Sequence, residues 1–132
     1  MTKSSLQIIN SVAGAPKPNV PLSQAVRYGG FLFTSGQVAS DPETGEFVGG
    51  GIKAETARVM ENLKAVLHSA GSSLDRVIKA TVFLTDVANF ADFNELYKSY
   101  FTSHLPARST FGVKLAGPYS IEIELVATVD EA

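Results

Sequence analysis

The chain has 132 residues, 45% of them hydrophobic and 18% charged, a globular balance at a length that one core can organise. Lys and Arg number 11 against 13 Asp and Glu, a net charge of -2, and no stretch gathers the basic residues, which argues against a dedicated nucleic-acid binder. Cysteine is absent, so disulfides, thiolate nucleophiles and zinc–thiolate sites are excluded.

No apolar run is long enough to cross a bilayer, and Met1–Ser5 leads into no apolar signal segment, so a cytoplasmic location is expected. The Gly/Pro clusters at 14–18, 49–51 and 117–118 are too short to divide the chain, and residues 1–132 read as a single domain. Phe31 to Ser35 reads as a strand. Ser40-Asp41-Pro42-Glu43-Thr44-Gly45 then reads as the turn of a hairpin that returns through Glu46-Phe47-Val48, with Pro42 presetting φ and Gly45 free to go left-handed.

From Ile52 the period changes. Val59/Met60, Leu63, Val66/Leu67 and Ala70 recur at steps of three and four, with Lys53, Glu55, Arg58, Glu61 and Lys64 elsewhere, which predicts a helix of about five turns stopped by Gly71. Val77 to Thr85 is β-branched and aromatic. Its face Ile78, Ala80, Val82, Leu84 is wholly apolar, as in a central strand, with Val77 and Phe83 turned away. Asp86 or Asn89 can cap a second helix that buries Phe90, Phe93, Leu96/Tyr97 and Tyr100/Phe101 and ends at Leu105-Pro106. Two strands follow, Ser109 to Leu115 and Ser120 to Val129.

Two amphipathic helices need one apolar sheet face to cover, which predicts an α+β two-layer sandwich: a mixed sheet with both helices on one face. The other face is mixed in character. Alternation sets Glu122 and Glu124 opposite Ile121, Ile123 and Leu125, and Leu125-Val126-Ala127 breaks the pattern. A helix-free face that is both apolar and charged suggests an oligomer interface with pockets.

Few residues stand out as chemical. The histidines, His68 and His104, lie far apart with no ligand spacing around them, so no metal site is expected, and His68 suits the helix end as a surface cation. Gly49-Gly50-Gly51 opens a helix but lacks phosphate-loop spacing. Ser35 is better read as a structural hydroxyl than as a nucleophile. Arg108, where a loop becomes a strand, can grip a carboxylate through two parallel hydrogen bonds or simply be a surface cation; Glu122 and Glu124 can be surface carboxylates or partners of Lys79.

Taken together, Ser35-Gly36-Gln37, Lys79 to Asp86, Phe90 to Asn94, Pro106-Ala107-Arg108-Ser109 and Ile121-Glu122-Ile123-Glu124 resemble the RidA (YjgF-type) family of small imine/enamine deaminases, in family order from about Pro21 onward. The resemblance implies a chorismate-mutase-like fold and a homotrimer with its active sites between subunits. It implies hydrolysis of reactive 2-imino or 2-enamino acids, such as 2-aminoacrylate or 2-iminobutanoate, to 2-keto acids and ammonia, with no metal or organic cofactor. On that resemblance Arg108 holds the substrate carboxylate and Glu122 positions water, while Ser35, Gly36, Asn94, Thr110 and Leu22 line or support the cleft. Two positions depart from the family pattern: Leu22 stands where a tyrosine is usual, and Thr110 where a cysteine is usual. Loss of the phenol suggests a larger or more apolar imino acid as substrate. A non-catalytic, small-carboxylate-binding regulatory trimer is the alternative; an endoribonuclease or translation inhibitor fits the charge poorly, and neither nucleic acid nor membrane is expected as a partner.

Overall fold

Gly29, at φ 59°, turns the chain between two four-residue strands, β2 (Ala25–Tyr28) and β3 (Phe31–Thr34), which pair antiparallel from Ala25↔Thr34 to Tyr28↔Phe31. The computed structural model describes residues 6–130; Met1–Ser5, and with it the reading of a leader, lies outside the described residues. β1 (Gln7–Ile9) pairs outside β2. The remaining elements are β4 (Gln37–Val38), α1 (Ile52–Ser69), β5 (Val77–Leu84), α2 (Phe90–Ser99), β6 (Ala107–Gly112) and β7 (Ile121–Thr128). The sheet runs β1-β2-β3-β7-β5-β6, with β4 also paired to β7. β5 is parallel to β6 and antiparallel to β7, so the sheet is mixed, and α2 makes the crossover that a parallel pair requires.

The expected α+β arrangement is present. Both helices turn their apolar faces to one side of the sheet, where Val59, Met60, Leu63, Val66 and Leu67 of α1 and Phe93 of α2 join Leu32, Ala80, Val82, Leu84, Ile121, Ile123 and Leu125 in the core. Each buried Val, Leu, Ile, Met or Phe side chain among these is worth about 1.5–3 kcal/mol. Leu63 and Phe93 are fully buried, so truncating either to Ala should cost about 2–5 kcal/mol. Gly71, at φ 80°, ends α1 as expected, with the Gly71 and Ser72 amides donating to His68 and Leu67 carbonyls.

Several details differ from the sequence reading. Val77 is fully buried and Ile78 is 42% exposed, the reverse of the expectation, because β5 pairs with β7 at Val77↔Ala127 and then at Lys79↔Val126. Ile78 is the extra residue of a β-bulge, and one extra residue exchanges the faces of everything before it. The burial alternation of β7 does not break at Leu125-Val126-Ala127: Leu125 and Ala127 face the core and Val126 the open side. The Ser40–Gly45 turn forms, with Gly45 at φ 76°, yet it joins the end of the β4 segment to Phe47 through a single bridge, Ser40↔Phe47; Phe31–Thr34 pairs with β2 and β7 instead. The last two strands begin and end earlier or shorter than expected, at Ala107–Gly112 and Ile121–Thr128. Asp86 caps a short 3-10 turn by accepting from the Ala88 amide at 2.9 Å, and Asn89 makes no side-chain cap. Glu55, counted with the polar face of α1, is buried.

Candidate functional site

The Thr34-Ser35-Gly36-Gln37 motif is a second bulge. β3 pairs with β7 as far as Phe33↔Val126 and β4 resumes at Gln37↔Ile123, so Thr34, Ser35 and Gly36 oppose Glu124 and Leu125. The Leu125 amide donates to Thr34 Oγ1 at 2.9 Å. Ser35 donates its hydroxyl to the Ser23 carbonyl at 2.6 Å and its amide to the Gln24 carbonyl at 3.0 Å. That hydroxyl therefore ties the Leu22–Gln24 segment to the bulge. Gly36 lies directly against Glu122: any Cβ at position 36 would collide with the Glu122 carboxylate. Leu22, 44% exposed, shares a cleft of about 170 Å³ with Gly36 and Tyr119.

Glu122 is half-buried on the helix-free face, opposite Phe83 on one side and Val38 on the other. Burial, and secondarily the like charge of Glu124, push its carboxyl pKa above the ordinary carboxylate value. The expected pairing with Lys79 is absent. Lys79 lies across from Val126 and its Nζ is 3.3 Å from the Ser109 hydroxyl. Two residues before Glu122, the Ser120 amide donates to the buried Glu55 carboxylate at 2.9 Å, which fixes the start of β7.

A second cluster forms where α2 covers β6. Alternation sends Ser109 and Phe111 to the open face, where Phe111 stacks on Phe83 at 6.1 Å, and turns Arg108 and Thr110 toward the helices. Arg108 Cζ lies 5.0, 5.2 and 5.7 Å from the ring centroids of Tyr97, Phe93 and Phe90, within cation–π range of all three. Asn94, Tyr97 and Pro106 line a pocket with it. Among the described residues the buried side-chain atoms without a hydrogen-bond partner are Asn94 Oδ1, the Tyr97 hydroxyl and Thr110 Oγ1, all in this cluster. An unpartnered buried polar atom costs about 1–3 kcal/mol, so a further hydrogen-bonding group placed in this cluster would be strongly favoured. Burial raises the Tyr97 phenol pKa, and Arg108 partly opposes that.

The structure thus brings Leu22, Ser35, Gly36 and Glu122 together, and separately Arg108, Asn94 and Thr110. It does not bring the two groups together within one chain. Arg108 aligns with Ala80 of β5 and, through it, with Leu125 of β7, three residues beyond Glu122, so two strand spacings, about 10 Å, a further offset of about 10 Å along β7 and the thickness of the sheet lie between Arg108 and Glu122. Tyr97, read from the sequence only as a buried position of the second helix, and Tyr119 are not among the site residues the sequence predicts. Tyr97 was legible in retrospect, one turn beyond Asn94 on the same helical face. Glu55 and Tyr119 carried no such signal. For metals, no three His, Cys, Asp or Glu side chains converge among the described residues. His104 Nε2 is 2.9 Å from the Val77 carbonyl oxygen and its Nδ1 is 3.2 Å from the Ser103 hydroxyl, while His68 is exposed near the end of α1.

Known proteins resemble this chain over nearly its whole length. A "RutC family protein" of Pyrococcus abyssi is 50% identical over 114 residues, covering 86% of this chain and 90% of that one. The human 2-iminobutanoate/2-iminopropanoate deaminase is 39% identical over 125 residues, covering 94% and 91%. The crystal structure of E. coli TdcF with bound serine superposes with a TM-score of 0.88 at 35% identity, covering 94% of this chain and all of that one. The family model described as endoribonuclease L-PSP matches residues 12–129, and on that extent of agreement the chain belongs to the endoribonuclease L-PSP (YjgF/RutC/RidA) family.

Proposed function

We propose that this protein hydrolyses 2-imino and 2-enamino acids to 2-keto acids and ammonia, at sites built where the Glu122 face of one copy meets the Arg108 edge of another. The observation that carries the reading is the pair of incomplete half-sites on opposite faces of one sheet. One is a guanidinium seated on aromatic rings beside unpartnered polar atoms; the other is a desolvated carboxylate kept basic by burial and a like charge. The open face also exposes Phe31, Phe33, Tyr28 and Phe111, more apolar surface than an unpartnered sheet face usually shows, which suits assembly into a homotrimer.

The chemistry follows from the groups. Arg108 takes the substrate carboxylate through two N–H···O bonds, with Asn94 and the Thr110 region completing the cradle. Water held by Glu122 attacks C2 of the protonated imine, Glu122 accepts the proton, and the C–O bond forms as the C=N π pair moves to nitrogen. Glu122 returns the proton to that nitrogen; it then takes the carbinolamine hydroxyl proton as the C=O π bond forms and the C–N bond breaks with its pair going to nitrogen, and the departing ammonia picks up that proton to leave as ammonium. An enamine enters by the same route once C3 is protonated. No step calls for a metal or an organic cofactor. The name of the human relative and the serine bound to TdcF belong to those proteins; both are amino-acid-sized carboxylate chemistry and lend the reading support. A carboxylate-binding trimer without turnover is the second reading, and the bound serine of TdcF favours it equally. RNA cleavage, despite the family description, sits poorly with a net charge of -2.

The test is an assay in which an amino-acid oxidase or dehydratase makes the imine in situ, run on wild type, Arg108→Ala, Glu122→Gln and the two variants mixed after joint refolding. Wild type should accelerate keto-acid release and each variant should not. The mixture should recover about a quarter of wild-type activity, the share of interfaces that pair an intact Arg108 with an intact Glu122 on random assembly. Keto-acid binding without acceleration in wild type would replace the deaminase by the ligand-binding reading.

A further inference from the structure

The cleft beside Glu122 has two walls, each held by its own contacts. One wall is the segment from Pro16 to Leu22. It is clamped by Gln24, 1% exposed, whose Nε2 donates to the Pro16 carbonyl at 2.8 Å while its Oε1 accepts from the Val12 amide at 3.1 Å. The other wall is Tyr119. Its ring meets the Phe47 ring edge-on at 5.6 Å and 78°, and it lies so close over Gly117, at φ 117°, that a side chain there would strike it. The next peptide is pinned by the Ser120–Glu55 hydrogen bond. Gly36 is common to the cleft and to the Glu122 contact, so whatever the Glu122 water attacks has the cleft as its neighbour. The space is about 170 Å³, with Pro16, Pro18, Val20 and Leu22 on its apolar side and Lys17 and Asn19 among its polar lining; roughly 150 Å³ is room enough for a benzene-sized ring.

We infer that Tyr119 and Leu22 form a side-chain pocket that selects 2-imino acids bearing a ring-sized side chain over those with a methyl or ethyl group. This rests on the deaminase reading for its chemistry and goes beyond it in naming the substrate class and Tyr119 as a specificity-determining residue. Leu22 gives one wall an aliphatic surface and Tyr119 gives the other an aromatic one. A phenyl-sized side chain fills the space and meets the Tyr119 ring; a methyl leaves most of it to water.

The experiment measures kcat/KM for the imines that L-amino-acid oxidase generates from phenylalanine and from alanine, with wild type, Tyr119→Ala and Leu22→Trp. Wild type should prefer the phenyl imine by about tenfold or more, the scale of one well-packed aromatic contact. Tyr119→Ala, which opens the wall, and Leu22→Trp, which fills the cleft, should each lower the phenyl-to-methyl ratio by about tenfold. Equal turnover of the two imines by wild type, or an unchanged ratio in both variants, would overturn the inference. If no imine is accelerated at all, the deaminase reading fails on its own, and calorimetry with phenylpyruvate and pyruvate decides the pocket. Preferential phenylpyruvate binding that is lost in Tyr119→Ala sustains it, and indifferent binding removes it.

Discussion

The two half-sites solve opposite electrostatic problems with different materials. Arg108 sits on an edge strand, and its charge is met by three ring faces of α2 with no carboxylate ion-paired to it among the described residues. Glu122 sits on β7, flanked by strands on both sides, and its charge is met by burial and a second carboxylate. A cation on aromatic faces stays charged and keeps its donors free. A desolvated carboxylate is instead driven to take up a proton. The first arrangement suits holding an anion; the second suits moving a proton, and each loses its purpose if the other is absent.

On the proposed reading, in which Glu122 carries the proton, its removal should do most to break that division of labour. Glu122→Gln preserves shape and hydrogen bonding, and kcat should fall by about 10²- to 10⁴-fold, the usual worth of a positioned general base. The same substitution should make the fold more stable at neutral pH. Glu122 holds its proton more tightly folded than unfolded, so its contribution is fully present below the unfolded pKa and is lost as pH rises through the higher folded pKa. Urea denaturation at two pH values reads this directly: the gap between variant and wild type should widen from acid to neutral pH. The pH profile is the companion measurement. Activity should fall as pH drops through the raised Glu122 pKa, and Glu124→Gln, by removing the like charge, should move that acid limb to lower pH.

Arg108→Ala should act on the other member. Loss of a bidentate, desolvated carboxylate contact is worth about 2–5 kcal/mol, a drop in kcat/KM of roughly 30- to 3,000-fold. The acid limb should stay where Glu122 puts it. Arg108→Lys should recover little, because an ammonium neither stacks on Tyr97 and Phe93 nor forks to two oxygens. A variant that regained activity with Lys would argue for a simple charge at this position.

How much of this could be read in advance depended on whether a pattern was local. The periods of α1 and of Ile121–Leu125, the stop at Gly71 and the cover of one sheet face by two helices all came from spacing along the chain. The exchange of Val77 and Ile78 did not, because a bulge is decided by the partner strand: nothing in Val77-Ile78-Lys79 says that β7 will skip a residue there. The short pairings of β1, β2 and β4 were missed for the same reason, their residues being too few to show a period. At the site, Arg108 and Glu122 were visible as residue types but not as opposite faces of one sheet, since that depends on the β5–β6 and β5–β7 registers together. The Glu55–Ser120 contact links positions 65 apart and leaves no local trace.

Gly36→Ala sharpens the comparison from the backbone side. A methyl at 36 strikes the Glu122 carboxylate, and relief requires that side chain to swing out of its half-buried place. A carboxylate displaced by an ångström or more no longer positions its water, so activity should fall by roughly 10- to 100-fold. As Glu122 gains water, the acid limb should drop toward the ordinary carboxylate range. An Arg108-side lesion cannot move that limb, so the pH profile identifies which half has been damaged.

The smallest expected effect falls on Tyr97, and it bears on whether the unpartnered atoms around Arg108 belong to a ligand. Tyr97→Phe keeps the ring that seats the guanidinium, 5.0 Å from Cζ, and removes only a buried hydroxyl that has no partner in the free protein. If nothing ever meets that hydroxyl, its loss relieves a desolvation penalty, and the variant should be more stable with unchanged kinetics. If the substrate carboxylate takes that hydroxyl's hydrogen bond, the free variant should still gain stability, but KM should rise by about 10-fold, the low end for a hydrogen bond between a neutral and a charged group. Thermal unfolding with and without a saturating 2-keto acid separates the two cases. In the second case the ligand stabilises wild type more than Tyr97→Phe; in the first it stabilises both alike. That difference would place a polar group of the ligand at Tyr97, beside Arg108 and away from the Glu122 face of the same chain.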